Sequence, residues 1–415
     1  MEYKYFMTSD LGGGGQTVSR LPRYLKEIQR LGKVNIGILL NYHYLTFFEK
    51  TGQKKTQRPV FDKQSLQKLN NTNLNFYDFF DLFNSSDDQK LETNIFDIIL
   101  DSGSGKILAD SVLFYSYDKN QCVRHLKSLV ADQLKFASEK GSKYVIAMDY
   151  CKKLTYKNQE GRSDEYNKII SELLLDKNYQ NELLTYSLEE AEKYENINIF
   201  APIHGKDGDS FFSHYSSIRE LEIRNNKEFN GFALGGLGNF SAGKIGEIVS
   251  QIRNTDEKRD IHILGSSGLN KIIPLVMGGA NFFDCHTPWR RANDKEHKFV
   301  VPLLDKDLNL ISNKDAFTNQ DLEITVTHQG FNCNCDICQN YPINEIERLV
   351  NNRNNNSDDY YFGIILIYFH AVYQYSYLLR KLKQLNSPDN IRNFIDEIYD
   401  AKLKEKLTKE VEFID

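Results

Sequence analysis

The chain has no surplus of basic residues: 52 Lys and Arg stand against 57 Asp and Glu, leaving a formal charge of −5 over 415 residues. That excludes a protein that coats nucleic acid without regard to sequence, because such binding runs on a broad cationic surface. Any contact with a polynucleotide must use a local basic patch. The start, MEYKYFMTSD, has neither the basic opening nor the apolar core of an export signal, so a cytoplasmic location is expected. The longest apolar stretch, Tyr360 to Tyr373, is too short to span a bilayer and carries His370 near its end. It reads as a buried helix, and no membrane association is expected. Disulfides are not expected either, since three of the six cysteines crowd into one short segment, as metal ligands do.

What is present is a series of apolar runs that stop at Gly, Asn, Asp or His. They are YKYFMTSD near residue 3, VNIGILLN ending at Asn41, FDIILDSGSG through Asp101, YVIAMDYC through Asp149, INIFAPIHG through His204, FNGFALGGLG through Gly238, DIHILGSSG through Gly268 and ANFFDCHTP through Asp284. These eight runs are near-continuously apolar, as parallel strands are when helices cover one side and a packed interior the other. Between Ser19 and Gly32, the residues Leu21, Tyr24, Leu25, Ile28 and Leu31 fall at helical spacing, with Pro22 early and Gly32 at the end. That spacing predicts an amphipathic crossover helix. The predicted fold class is therefore α/β, a (β/α)₈ TIM barrel.

In such a barrel the reacting groups sit at the C-terminal ends of strands, where Asn41, Asp101, Asp149, His204 and Asp284 fall. A single Asp or Asn after a strand is as readily a helix cap; several together make a site the better reading. The barrel is predicted over residues 1–291, with an insertion at about 53–93 that includes the aromatic cluster FYDFFDLF and helps to shape the mouth. A second insertion, 292–359, precedes a closing barrel helix at 360–386, and a polar helix at 387–415 ends the chain.

Cys333, Cys335 and Cys338 lie within six residues, a spacing that lets a tight loop wrap one tetrahedral ion, and three soft ligands point to zinc. The cluster needs a fourth partner, and spacing leaves His328 and His370 both open. Four protein ligands leave no position for water, so the Zn2+ would be structural, and metal-dependent hydrolysis is disfavoured.

Eight strands, a late insertion carrying CxCxxC and a histidine in the closing helix together resemble the tRNA-guanine transglycosylase family. FFDCHTPWR looks like the family's nucleophile segment, CNCDICQNY like its zinc loop and FHAVYQY like the helix that donates the zinc histidine. LLNYHYL, DSGSG, VIAMDYC and GFALGGL match more loosely, in the family's order. The resemblance implies a pentosyltransferase that exchanges guanine in a polynucleotide for a 7-deazaguanine base without cutting the backbone, with no redox or nucleotide cofactor. It selects His370 as the fourth zinc ligand, beside Cys333, Cys335 and Cys338, and it implies a homodimer.

The chemistry asks for a carboxylate nucleophile at C1′, which Asp284 supplies, and for a general acid and base, which is Asp101 across the mouth. Ionised Asp149 can accept both hydrogens of the guanine N1–H and N2–H₂ edge. Backbone groups of Gly235, Gly236 and Leu237 can approach the base closely; Asn41, Ser102, Gly103 and His204 complete the expected pocket. The target base must leave its stack to enter, and Arg290 and Arg291 are expected to hold the flanking phosphates.

The sequence also departs from the family pattern. Gly105 and Lys106 follow the DSGS segment where an aromatic is usual, and Gly265 and Ser266 stand where a methionine covers the base. His204 replaces a glutamine, and Trp289 and Arg291 replace small polar residues, changes expected to touch substrate recognition. With nucleophile, acid/base and zinc ligands intact, the chemistry is expected to persist on a rebuilt polynucleotide surface. DNA is therefore preferred as substrate, with tRNA as the alternative. A catalytically silent partner subunit of the same family is the other alternative, and the presence of both Asp101 and Asp284 argues against it.

Overall fold

The computed structural model describes residues 2–8, 36–42, 45, 74–76, 97–103, 117–149, 168–169, 172–173, 177–293, 298–300, 302–311, 323–325, 333–352, 357–398 and 411. The helix expected between Ser19 and Gly32, most of the insertion at 53–93, Gly105, Lys106 and His328 lie outside these residues.

Strands β1 (Lys4–Thr8), β2 (Ile36–Asn41), β3 (Asp97–Asp101), β4 (Tyr144–Ile146), β5 (Asn198–Ile203), β6 (Gly231–Leu234), β7 (Asp260–Ile263) and β8 (Phe282–Asp284) pair in chain order. All pairs are parallel, and β8 returns to β1 through Lys4 with Phe282, Tyr5 with Phe283 and Phe6 with Asp284. The predicted eight-stranded barrel is thus present and closed. Its strands are shorter than the apolar runs: β4 stops at Ile146, and Asp149 stands beyond it on an irregular segment.

Side chains alternate across each strand. Phe6, Leu39, Ile99, Tyr144, Ile146, Phe200, Ala233 and Phe282 form one buried cluster that fills the barrel. Their neighbours in sequence, such as Tyr5, Ile98, Val145 and Phe283, belong to the larger core between strands and helices. At the base of the barrel Lys4 binds Asp97, both buried, with the half-exposed Lys143 3.8 Å from the other carboxylate oxygen.

Helices α1 (Lys119–Lys140), α2 (Lys177–Ala191), α3 (Gly208–Asn225), α4 (Ala242–Thr255) and α5 (Ile272–Met277) cover the strands. Helix α1 shows why its sequence folds so. Asp118 and Gln121 form a reciprocal capping box, Gly141 ends the helix in the left-handed region, and Cys122, Leu126, Leu129 and Val130 make the stripe that faces the core.

After β8 come α6 (Thr287–Ala292), an antiparallel pair β9 (Lys298–Val300) and β10 (Glu323–Thr325), α7 (Asp336–Asn340), α8 (Ile343–Asn351), α9 (Ser357–Leu385) and α10 (Pro388–Ile398). Helix α9 is the closing helix, running from Ser357 to Leu385 where the sequence predicts 360–386. Residues 358–385 are long and apolar enough to cross a bilayer, contrary to the expectation drawn from Tyr360 to Tyr373, but 94% of the apolar window is buried inside the protein. It is the core helix of this fold.

Candidate active site and metal centre

A cavity of about 350 Å³ opens at the C-terminal ends of the strands. Asn41, Asp101, Ser102, Gly103, Asp149, His204, Gly235, Gly236, Leu237 and Asp284 all line it, so ten residues expected from six separate runs meet in one place. Asp284, the last residue of β8, is buried at the cavity wall, 3% exposed. Its Oδ1 accepts from His262 Nε2 at 2.8 Å, and the Gly265 amide lies 3.2 Å from both carboxylate oxygens. Gly265 has φ of +67°, and this left-handed turn just past β7 aims its N–H at the carboxylate.

Asp101 ends β3 directly opposite Asn41 at the end of β2, and Asn41 Nδ2 donates to Asp101 Oδ2 at 3.1 Å. Asp149 does not stand alone as an acceptor for a base: His204 Nε2 lies 2.7 Å from its Oδ2. Burial pulls the His204 pKa down, but the Asp149 charge, the hydrogen bond to it and the Gly235 backbone outweigh burial, and the net shift is upward. The pair depends on Gly235, because a Cβ there would come within 2.5 Å of the His204 ring.

Four groups in or behind the cavity wall were missed in the sequence. Leu264 borders the cavity immediately before Gly265, so an apolar side chain stands at the wall beside the two residues found where the family resemblance expects a methionine. His262, the Gly265 amide and His286 complete the surroundings of Asp284. His262 had a signal: it pairs with Phe282, an inward residue, so an inward polar group near the top of a strand was legible once register was known.

A second cavity of about 420 Å³ adjoins the first through Gly265, Ser266 and His286. Lys271, Arg290 and Arg291 line it, which places the two expected arginines together beside the pocket instead of inside it. Trp289 is a correction: expected among the changes in substrate recognition, it is instead buried and packs edge-on against Tyr368 of α9, with centroids 5.5 Å apart. It is a strut between α6 and α9.

Cys333, Cys335, Cys338 and His370 come together below β9, with all four candidate ligand atoms within 4.8 Å of one another. His370 Nδ1 lies 3.7, 3.5 and 3.4 Å from the three sulfurs. A tetrahedron with zinc bonds near 2.0–2.3 Å requires edges of about 3.5–3.8 Å, so the cage has the right size. His370 Nε2 donates to the Val300 carbonyl at 2.8 Å, which leaves Nδ1 unprotonated toward the cage. The group fits a structural zinc ion, filled by protein ligands with no open position. Gln374, one turn on, accepts from the Leu303 amide at 3.0 Å and ties the segment after β9 to the same helix.

The sequence model of a family described as queuine tRNA-ribosyltransferase matches residues 174–404. Curated relatives are queuine tRNA-ribosyltransferases from Geobacillus thermodenitrificans (24% identical over 200 residues, 45% of this chain and 46% of that protein) and Streptococcus gordonii (24% over 180 residues, 41% of each). A third, from Streptococcus pyogenes serotype M49, is 26% identical over 177 residues, 40% of each. The chain spans less than half the length of the curated relatives it matches. The family match takes in Asp284 and all four candidate zinc ligands, and the barrel carries Asp101 and Asp149 to the same mouth from outside the matched segment. With more than half its length under that match, the chain belongs to the queuine tRNA-ribosyltransferase family.

Proposed function

We propose that this protein is a guanine transglycosylase that replaces guanine in a polynucleotide by a 7-deazaguanine base. The observation that carries the reading is the Asp284 carboxylate, held by His262 and Gly265 at the wall of a cavity that also contains Asp101. Asp284 attacks C1′ of the flipped nucleotide as the bond to guanine breaks, and Asp101 gives the departing base its proton. The incoming base then yields a proton to Asp101 and displaces Asp284 from C1′. Two inversions leave the configuration retained and the backbone uncut. Asp149 and His204, acceptor and donor side by side, read the base edge. Lys271, Arg290 and Arg291 in the adjoining cavity hold flanking phosphates. The bound zinc supplies structural bracing and takes no part in these steps.

DNA is the polymer we favour, on the ground that the His204 and Asp149 pair stands where the family resemblance expects a glutamine. Trp289 no longer supports that choice. The second reading is tRNA, and the names of the relatives favour it. The test offers labelled guanine with tRNA, single-stranded DNA and duplex DNA, and follows label into the polymer. Label in DNA alone supports the first reading, label in tRNA alone replaces it with the second, and label in none of them overturns the base exchange.

A further inference from the structure

We propose that His262 is the positioning residue of the nucleophile: as a neutral imidazole it donates Nε2–H to Asp284 Oδ1 and leaves Oδ2 as the attacking oxygen. The inference rests on the nucleophilic role of Asp284 given above. His262 is fully buried on the inner face of β7, with ring centroids 5.6 Å from Phe6 and 6.3 Å from Phe282. Its Nε2 lies 2.8 Å from Asp284 Oδ1, while Nδ1 is buried with no hydrogen-bond partner among the described residues.

These facts fix the proton. An ionised carboxylate only accepts, so Nε2 must carry the hydrogen. A hydrogen on Nδ1 would be stranded among aromatic rings, where an unpaired donor is costly. The geometry therefore selects the neutral Nε2–H tautomer.

The two oxygens of Asp284 are then unequal. Among the described residues Oδ1 faces both His262 and the Gly265 amide, whereas Oδ2 faces the amide alone. The less occupied oxygen keeps more of its nucleophilic electron density. In the first half-reaction Oδ2 bonds to C1′, the glycosidic electron pair leaves with guanine, and Asp101 supplies its proton. Oδ1 becomes the ester carbonyl oxygen and still accepts from His262. In the second half the incoming base gives its proton to Asp101 and bonds C1′, and the electrons of the C1′–Oδ2 bond return to the carboxylate. The His262 hydrogen bond strengthens as that charge returns, so it steadies the departing carboxylate as well as its rotamer.

The titratable groups facing the pair are Tyr5, Tyr368, Cys285, His286 and Asp101. Burial pushes Tyr5, Tyr368 and Cys285 up, so they stay uncharged near neutral pH. None of these three is therefore a charged neighbour of Asp284 or His262.

The test uses the full-length, zinc-loaded protein with labelled guanine, and compares wild type with His262→Phe and His262→Gln. Phe keeps the ring volume without the donor, and Gln restores an N–H donor. Loss of the donor should lower kcat about 10- to 100-fold with little change in KM for the polynucleotide. His262→Gln should recover most of that loss. Long-range ¹⁵N correlation spectra of histidine-labelled protein should show His262 as the Nε2–H tautomer, perturbed in Asp284→Ala. A His262→Phe protein with wild-type kcat would overturn the proposal, as would spectra showing an Nδ1–H or doubly protonated ring. If wild type labels no polymer, the base-exchange reading fails on its own, and the nitrogen shifts still decide for or against the hydrogen bond.

Discussion

Asp284 has donors on one side and the open cavity on the other, and this asymmetry says what its amide would lose. Asp284→Asn keeps the side-chain shape but has no anionic oxygen to attack with, and its NH₂ competes for space with two N–H donors. Base exchange and any covalent polynucleotide adduct on a denaturing gel should disappear, while zinc content and melting temperature stay near wild type. An Asp284→Asn protein that still exchanges base would refute the nucleophile assignment. His204 makes a pH prediction of definite sign. Its pKa is raised because the pull of Asp149 exceeds the cost of burial, so the charged pair is complete below the usual histidine value and is lost as pH rises through the raised one. KM for the incoming base should therefore climb with pH through that window, and His204→Gln should flatten the climb. The acidic residues of the site were legible because each interrupts an apolar run at its end. His262 was not, because it sits within a run, and only the pairing of β7 with β8 says which way it faces.

At the scale of elements, α9 does three jobs at once. His370 and Gln374 face the metal loop and the segment after β9, while Tyr368 and Tyr375 face the barrel, packing on Trp289 and on Tyr5 of β1. Tyr5 in turn donates to the Cys285 carbonyl, next to the nucleophile, at 3.3 Å. Cys335 is fully buried where α7 meets α9. Cys335→Ser should cut bound zinc, measured by elemental analysis, to well below one per chain. It should also lower the melting temperature by on the order of 5–10 °C, before any separate effect on the chemistry. Full zinc loading with an unchanged melting temperature would be the contrary result. The cysteine spacing announced this site unaided. The fourth ligand was undecided by spacing, since His370 lies 32 positions beyond Cys338 and only the fold closes that gap.

For the whole molecule the decisive joint is the one where β1 meets β8, because it turns eight strands into a closed barrel. Lys4 enters that joint from below and binds Asp97, so a buried charge pair lies at the end of the barrel away from the cavity. Lys4→Met should cost about 3 kcal/mol in chemical denaturation, toward the low end for a broken buried pair because Lys143 remains within 3.8 Å. Lys4→Met combined with Asp97→Leu should recover most of that loss, and failure to recover would mean that packing, not charge, sets the cost. The count and direction of strands could be read from continuous apolar runs punctuated by polar residues. Their lengths could not: β4 ends at Ile146, with one further bond from the Ala147 amide to the Phe200 carbonyl, while apolarity continues through Met148.

The division of labour around α9 also limits how this protein can change. Substitutions on either face can be absorbed one at a time, but each added or deleted residue between Tyr368 and Tyr375 rotates everything beyond it by about 100°. One such step would turn Gln374 or Tyr375 to the wrong partner and shift the helix about 1.5 Å along its axis. The helix is therefore a key cut on two sides, tolerant of altered letters and intolerant of altered length.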